Sequence, residues 1–163
     1  MLRVNLSSLC IFYFGVAGMV GVGFRFLDHT ADVLVEAYGS DLREAFENAA
    51  KAMFEVMTDV STVRPMVRRS IVVEGEDVEA LLYSWLEELL FIFDVELIVF
   101  SEFRVREIKR VDDRGFLLMA DAWGEKFNPE VHPRKTEVKA ITYSLMEIRE
   151  GADGCVVRFV LDI

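Results

Sequence analysis

The chain has 163 residues, of which 53% are hydrophobic and 28% are charged; these proportions are typical of one globular domain and exclude a disordered chain. Its formal net charge of −10 argues against a free-standing nucleic-acid-binding protein and suits a protein that meets another protein or concentrates cations. The two cysteines, Cys10 and Cys155, lack the close spacing of a metal or redox motif, so we expect a reducing cytoplasm and no disulfide framework.

Residues 1–23 form an unusual N-terminal extension. Its stretch CIFYFGVAGMVGVGF is apolar and resembles a secretory signal loosely, but it is too short and glycine-rich for a convincing transmembrane helix. A signal, an extra strand or tail, and a start codon assigned too early are the three alternatives. We favour the last, with Met19 as the start, because regular patterning begins only at Phe24. A chain that starts at Met19 is expected to fold and function like the full chain.

The first elements after the extension are two strands and a helix. FRFLDH alternates weakly and indicates a short strand. DVLVEAYG alternates clearly, which predicts a strand with Glu36 and Tyr38 on one face and Val35 and Ala37 on the other. A helix is predicted over 41–57, since Ser40 or Asp41 can cap it and its apolar residues recur at helical spacing.

The second half of the chain predicts a strand, a helix and two hairpins. RRSIVVEG reads as a strand, and a helix capped by Asp77 follows over 77–93. LIVFSEFRVREIKRV and FLLMADAWGE predict a hairpin that turns at 112–115, while EVKAITYSLMEIRE and CVVRFVLDI predict another that turns at 151–154. The expected fold is a single α+β domain over residues 24–163, with two helices packed on a mostly antiparallel mixed sheet of six to eight strands.

The stretch DHTAD, residues 28–32, gathers hard ligands at a predicted strand junction. Asp32 opens a strand, and Asp162 closes the last strand beside Ile163. Aspartates at strand and chain ends are often frayed, but carboxylates next to main-chain oxygens also suit a hard cation such as Ca²⁺ or Mg²⁺. Asp59, after the first helix, is either a third oxygen donor or an ordinary loop aspartate. A zinc site is poorly supported, since His29 and His132 are the only histidines.

The segment GEKFNPEVHPRKTEVKAITYS is the other unusual stretch, because it concentrates basic residues in an acidic chain. It contains Lys126, His132, Arg134, Lys135 and Lys139. One interpretation is a solvated loop with an edge-strand lysine that deters aggregation. The other is a cationic patch for a nucleotide phosphate or an acidic partner. No nucleophile elbow, catalytic triad or Walker loop accompanies it.

Six segments together resemble the archease family in order and spacing. They are HTADVLVEAYG, AFENAAKAMFEVMTD, LLYSWLEELLFIFDVE, WGEKF, HPRKTEVKAITY and the final LDI, and they extend over residues 24–163. The N-terminal extension departs from the family pattern, since archease-like chains begin a few residues before HTAD. This difference strengthens the interpretation of an early start codon.

The resemblance implies a cytoplasmic accessory protein of the RtcB-type RNA ligase of tRNA splicing. Such a protein is not itself a catalyst but promotes guanylylation of the ligase with GTP and its multiple turnover. The resemblance further implies a divalent cation, commonly Ca²⁺, at Asp32, Asp162 and Ile163. It assigns ligase activation to Lys139, and His29 is a second candidate for that role. We expect the His29 side chain to brace the DHTAD turn by hydrogen bonding. Indirect contact with a guanine nucleotide is expected, but direct contact with nucleic acid or a membrane is not.

Two alternatives remain beside the ligase activator. One is a metal-dependent phosphoesterase that uses Asp32, Asp59 and Asp162, with His29 as general base. The other is a chaperone-like modulator of RNA-modifying enzymes. If the activator interpretation holds, Asp32→Ala should abolish activation and Asp28→Ala should do little. Lys139→Ala should impair activation without a change in cation affinity.

Overall fold

The computed structural model describes residues 23–27, 29 and 31–163, so the predictions for the N-terminal extension and for Asp28 lie outside the described residues. The described strands are β1 Gly23–Leu27, β2 Val33–Gly39, β3 Val67–Gly75, β4 Ile98–Arg110, β5 Phe116–Lys126, β6 Ala140–Gly151 and β7 Gly154–Asp162. The helices are α1 Leu42–Met57 and α2 Val78–Glu96. Short 3-10 helices lie at Val60–Thr62 and Asp112–Arg114.

The described strands form two antiparallel sheets instead of the single mixed sheet that was predicted. One sheet has the order β1-β2-β7-β6 and the other β3-β5-β4, and every pairing within them is antiparallel. The helices bridge the two sheets: α1 packs against β2 and β4, and α2 packs against β3 and β6, so each helix contacts both sheets. The α+β class, the two helices and both hairpins are confirmed.

Both helices begin at the aspartates that the sequence predicted as caps. The carboxylate of Asp41 accepts a hydrogen bond from the amide of Glu44 at 2.9 Å, and that of Asp77 accepts one from Ala80 at 2.7 Å. Helix α2 continues three residues beyond the predicted end and stops at Leu97, which has a left-handed φ of 54°. Its last turn was missed because Asp94 and Val95 face solvent and interrupt the apolar pattern.

The core lies between the two helices and the two sheets. Trp85 is fully buried, and its indole nitrogen donates to the carbonyl of Phe46 at 3.0 Å, which joins α2 to α1. Phe54 packs edge-on against Phe100 and stacks on Phe103, which joins α1 to β4. Neither α1 nor α2, the α-helices of the described residues, is long and apolar enough to cross a membrane.

Candidate functional site

The two aspartates predicted as cation ligands stand at the same end of one sheet. Strands β2 and β7 are antiparallel neighbours, with Val33 opposite Leu161. Asp32 directly precedes β2 and Asp162 ends β7, so the same register places the two aspartates across from each other. Both residues are half-buried. Strand pairing thus brings together two acidic residues that lie near opposite ends of the domain's sequence.

Lys139 lies at this same end, in contact with the predicted cation ligands. Its amide donates to the carbonyl of Asp162 at 2.8 Å, one residue before β6 begins. Its ammonium donates to the main-chain oxygen of Ile163 at 3.2 Å. From the sequence, Lys139 and the cation ligands are separate features, whereas in the structure they are neighbours. We refer below to Asp32, Lys139, Asp162 and Ile163 as the β2–β7 end.

The donors at the β2–β7 end fit a hard cation in their chemistry. Two carboxylates and a main-chain oxygen are the ligands that Ca²⁺ accepts, together with water and further carbonyls. Within residues 23–27, 29 and 31–163, no group of three or more Asp, Glu, His or Cys side chains is placed to hold a metal ion. From the described residues, a cation here would draw on main-chain oxygens and water besides the two carboxylates, which suits Ca²⁺ better than zinc.

Asp59 has a local structural role in the described fold. Its carboxylate accepts hydrogen bonds from the amide of Ser61 at 3.0 Å and from the hydroxyl of Ser61 at 2.6 Å, and it caps the 3-10 helix that follows α1. The bond from the Ser61 hydroxyl is the main cause that holds the pKa of Asp59 below its ordinary value. These contacts support the interpretation of a capping aspartate, and a role as third cation ligand stays a prediction.

His29 is exposed, and both of its sequence neighbours lie outside the described residues. Its predicted role in bracing the DHTAD turn therefore stays a prediction.

The basic residues of the segment before β6 do not converge on one patch. Lys126 donates to the main-chain oxygen of Glu96, and Lys135 pairs with the carboxylate of Glu55 at 2.6 Å. Arg134 lies over the ring of Phe127 instead. Since Lys139 contacts Asp162 and Ile163 at the β2–β7 end, each of these basic side chains has its own separate contact. The structure therefore favours individual roles over a shared phosphate-binding patch.

His132 belongs to a buried cluster and is not part of a cationic surface. Only 1% of it is exposed, and its Nε2 lies 3.0 Å from a carboxylate oxygen of Glu125. Its Nδ1 accepts from the amide of Asn128 at 2.9 Å, so the ring is the neutral tautomer that donates to Glu125 through Nε2. Arg64 bonds the same carboxylate through its amide and its guanidinium, and these bonds lower the pKa of Glu125 to about 2.

A second buried carboxylate, Glu36, lies on the sheet that carries the β2–β7 end. Burial raises its pKa, but hydrogen bonds from Tyr38, Arg158 and Arg25 outweigh burial and lower the pKa to about 2. Arg25 and Arg158 are its direct cross-strand partners on β1 and β7. The alternating sequence of β2 correctly predicted that Glu36 and Tyr38 share one face. The arginines that pair with Glu36 could not be predicted, because they depend on the register of β2 with β1 and β7.

Comparison with known proteins decides the family. The profile of the Archease protein family (MTH1598/TM1083) matches residues 24–163. The chain belongs to the archease family. Similar relatives include the protein archease of Sulfurisphaera tokodaii, 48% identical over 140 residues that make up 86% of this chain and 98% of the relative. The protein archease of Methanosarcina acetivorans is 45% identical over 143 residues, covering 88% of this chain and 97% of the relative.

A solved structure shows the same fold. The solution structure of Methanobacterium thermoautotrophicum protein 1598 is 49% identical, aligns with a TM-score of 0.75, and covers 86% of this chain and 99% of that chain. In the present structure, three distant segments of the archease pattern meet at one place. HTAD contributes Asp32, EVKAITY contributes Lys139 and the last segment contributes Asp162 and Ile163.

Proposed function

We propose that this archease-family chain is a non-catalytic activator of an RtcB-type RNA ligase in the cytoplasm. In this proposal it promotes guanylylation of the ligase with GTP and multiple turnover, with a bound divalent cation. Ca²⁺ is our first candidate, and Mg²⁺ and Mn²⁺ are alternatives. The observation that supports the proposal best is the convergence of Asp32, Asp162, Ile163 and Lys139 at the β2–β7 end.

In this proposal the acidic residues of the β2–β7 end bind the cation, and Lys139 positions the backbone and supplies a positive charge. The carboxylates of Asp32 and Asp162 would hold the cation, with the main-chain oxygen of Ile163 as a further donor. A bound divalent cation supplies a concentrated positive charge to which phosphate oxygens of a neighbouring nucleotide can coordinate. Lys139 positions the Asp162–Ile163 backbone through its amide and supplies a second positive charge within reach of the same oxygen.

The charge of the chain supports a protein partner more than an RNA partner. With a net charge of −10, the chain disfavours direct contact with a phosphate backbone and is attracted to a basic protein surface. In the proposed arrangement the ligase binds the RNA and carries out the covalent chemistry. The archease-family chain binds the ligase so that the β2–β7 end lies close to the ligase.

The decisive experiment is a guanylylation assay of the cognate ligase with GTP, in the presence and absence of this chain. We expect the wild-type chain to raise both the guanylylation rate and the number of turnovers, and Asp32→Asn to lose most of this effect. Asp153→Asn is the matched control, since Asp153 is exposed at the turn before β7, at the opposite end of that strand from Asp162. Equal rates with and without the chain would overturn the proposal.

A second assay separates the activator from an enzyme. The chain alone is incubated with a model phosphodiester and Mg²⁺ or Mn²⁺. Turnover that is lost in Asp32→Asn would support the phosphoesterase alternative, whereas an activator is expected to be inert in this assay.

A further inference from the structure

Strand β6, at the edge of its sheet, is interrupted by a bulge that exposes an aromatic side chain. Its register with β7 shifts between Thr142 and Glu147, so that residues 143–146 are left out of the pairing. Within the bulge, Leu145 has a left-handed φ of 54°, which costs free energy in a residue other than glycine. Tyr143 is 56% exposed and Leu145 is 57% exposed. A strained backbone thus holds two large side chains out toward solvent.

The ring of Tyr143 is fixed by a second tyrosine on α2. It stacks on Tyr83, with ring centroids 4.6 Å apart and ring planes inclined by 5°. The hydroxyl of Tyr83 donates to a carboxylate oxygen of Glu87 at 3.2 Å, one helical turn further along α2. One more turn along, Phe91 is exposed. Tyr83 covers one face of the Tyr143 ring, but more than half of Tyr143 is exposed, so a partner can reach the ring.

The elements that carry the two tyrosines are negatively charged. Helix α2 contains no lysine or arginine but five acidic residues, which are Glu79, Glu87, Glu88, Asp94 and Glu96. Among the ion pairs of the described residues, Glu96 is the member of this set with a partner, Arg69. The single basic residue of β6, Arg149, is paired with Glu147 at 3.3 Å.

This charge acts directly on Tyr143. Burial raises the pKa of its phenol, and three carboxylates raise it further, those of Asp77, Glu87 and Glu76. Asp77 and Glu76 lie at the start of α2, so negative charge surrounds the tyrosine pair from two places on this helix. The surface therefore combines an accessible aromatic ring with carboxylates that lack a positive partner in the described part of the chain.

We propose that Tyr143, with Tyr83 and Glu87, forms a docking site for an arginine side chain on a basic segment of a partner protein. Charge complementarity favours this occupant, because a second copy of a chain with a net charge of −10 would be repelled. A guanidinium can stack flat on the Tyr143 ring and donate two parallel hydrogen bonds to a carboxylate such as Glu87, whereas an ammonium acts as a point charge.

The position of this docking site relates it to the rest of the molecule. Lys139 of the β2–β7 end directly precedes β6, and Tyr143 lies four residues later on the same strand. A partner held at Tyr143 therefore also lies near the β2–β7 end. The proposal nevertheless stands on the docking site alone, and it can be tested without the ligase and without a cation.

The test is a titration of the full chain with a short end-blocked peptide in which arginine alternates with glycine, followed by backbone amide shifts in NMR. A second peptide carries citrulline, which keeps the shape of arginine without its charge, and a third carries lysine. Tyr143→Ala removes the ring, and Tyr143→Phe keeps it. Glu87→Gln removes the charge beside the tyrosine pair, and Glu130→Gln is its matched control, because Glu130 is an exposed carboxylate in the loop after β5.

We expect the arginine peptide to bind wild type, Tyr143→Phe and Glu130→Gln equally, with shifts centred on α2 and residues 143–146. The lysine peptide should bind more weakly, because it cannot stack or donate two parallel hydrogen bonds. Loss of the cation–π contact should weaken binding of the arginine peptide about threefold or more in Tyr143→Ala. Glu87→Gln should weaken it roughly twofold or more.

Four outcomes would overturn the proposal. They are the absence of binding at millimolar peptide, equal binding of the citrulline peptide, shifts that centre on other acidic parts of the chain, and an unchanged affinity in Tyr143→Ala. Sedimentation of the chain alone tests the other occupant of this surface. Self-association that Tyr143→Ala abolishes would assign the surface to a second copy and would also overturn the proposal.

Discussion

The ammonium of Lys139 lies 3.2 Å from the main-chain oxygen of Ile163, and its amide donates to the carbonyl of Asp162. The lysine is thus bound to both residues that the archease pattern assigns to cation binding at the end of β7. A divalent cation that uses the Ile163 oxygen must share it with this ammonium or displace it. Two positive charges at one oxygen repel each other, so Lys139 and the cation are coupled.

This coupling changes the prediction for Lys139. The sequence alone suggested that removal of Lys139 leaves cation affinity unchanged, whereas the contact with Ile163 predicts tighter binding. We expect Lys139→Met to raise Ca²⁺ affinity roughly fivefold, since a repulsion of about 1 kcal/mol disappears near the surface. Calorimetric titration of Ca²⁺ measures this, and Lys135→Met is the control because that ammonium is paired with Glu55. An unchanged affinity would show that Lys139 acts apart from the cation.

Asp32→Asn is expected to affect cation binding and stability in opposite ways. The substitution removes one of two facing carboxylates, so cation binding should weaken strongly. In the absence of cation, loss of the repulsion with Asp162 should stabilise the fold by about 0.5–1 kcal/mol. Added Ca²⁺ should stabilise wild type by about 2.7 kcal/mol at a hundredfold excess over its Kd, and the variant hardly at all. Thermal unfolding with and without Ca²⁺ checks both points, and equal stabilisation of both proteins would exclude Asp32 as a ligand.

Asp59→Ala should separate a capping role from a ligand role. The carboxylate caps the 3-10 helix through Ser61, so its loss should lower the free energy of unfolding by about 0.5–2 kcal/mol. The Ca²⁺ affinity measured by calorimetry should stay that of the wild-type chain. Asp59→Ser is the informative companion variant, because serine can cap without a charge and should recover most of the stability. A large loss of Ca²⁺ affinity in both variants would instead make Asp59 a ligand.

The local elements of this fold could be predicted from sequence, because they depend on neighbours along the chain. Asp41 and Asp77 mark both helix starts, and alternation with turn residues marks both hairpins. The division into two sheets could not be predicted in the same way. It depends on which strands pair with each other, and the alternating and helical patterns along the chain do not give the partners of a strand.

The sequence indicated that Asp32 and Asp162 meet from two strand ends, but it did not indicate that Lys139 lies beside them. Motif order indicated Asp32, Asp162, Ile163 and Lys139, while their proximity depends on the pairing of β7 with β2 on one side and β6 on the other. The role of His132 was not visible at all. A histidine among basic residues in a loop resembles a surface cation, and only tertiary packing shows that it is buried against Glu125.

The buried Glu125 predicts a defined dependence of stability on pH. Its folded pKa of about 2 lies below the ordinary value of 4.5, because the amide and guanidinium of Arg64, followed by His132, bond the ionised form. A lowered carboxyl pKa contributes stability that is complete above about pH 4.5 and is lost as the pH falls through about 2.

Glu125→Gln should therefore be less stable at pH 7 by about 1–3 kcal/mol. Its stability should also change less with pH between about 4.5 and 2 than that of wild type. Urea unfolding at several pH values measures this, with the exposed Glu130→Gln as the control from the same loop. If Glu125→Gln and wild type lose stability in parallel over this range, the ionised carboxylate does not stabilise the cluster.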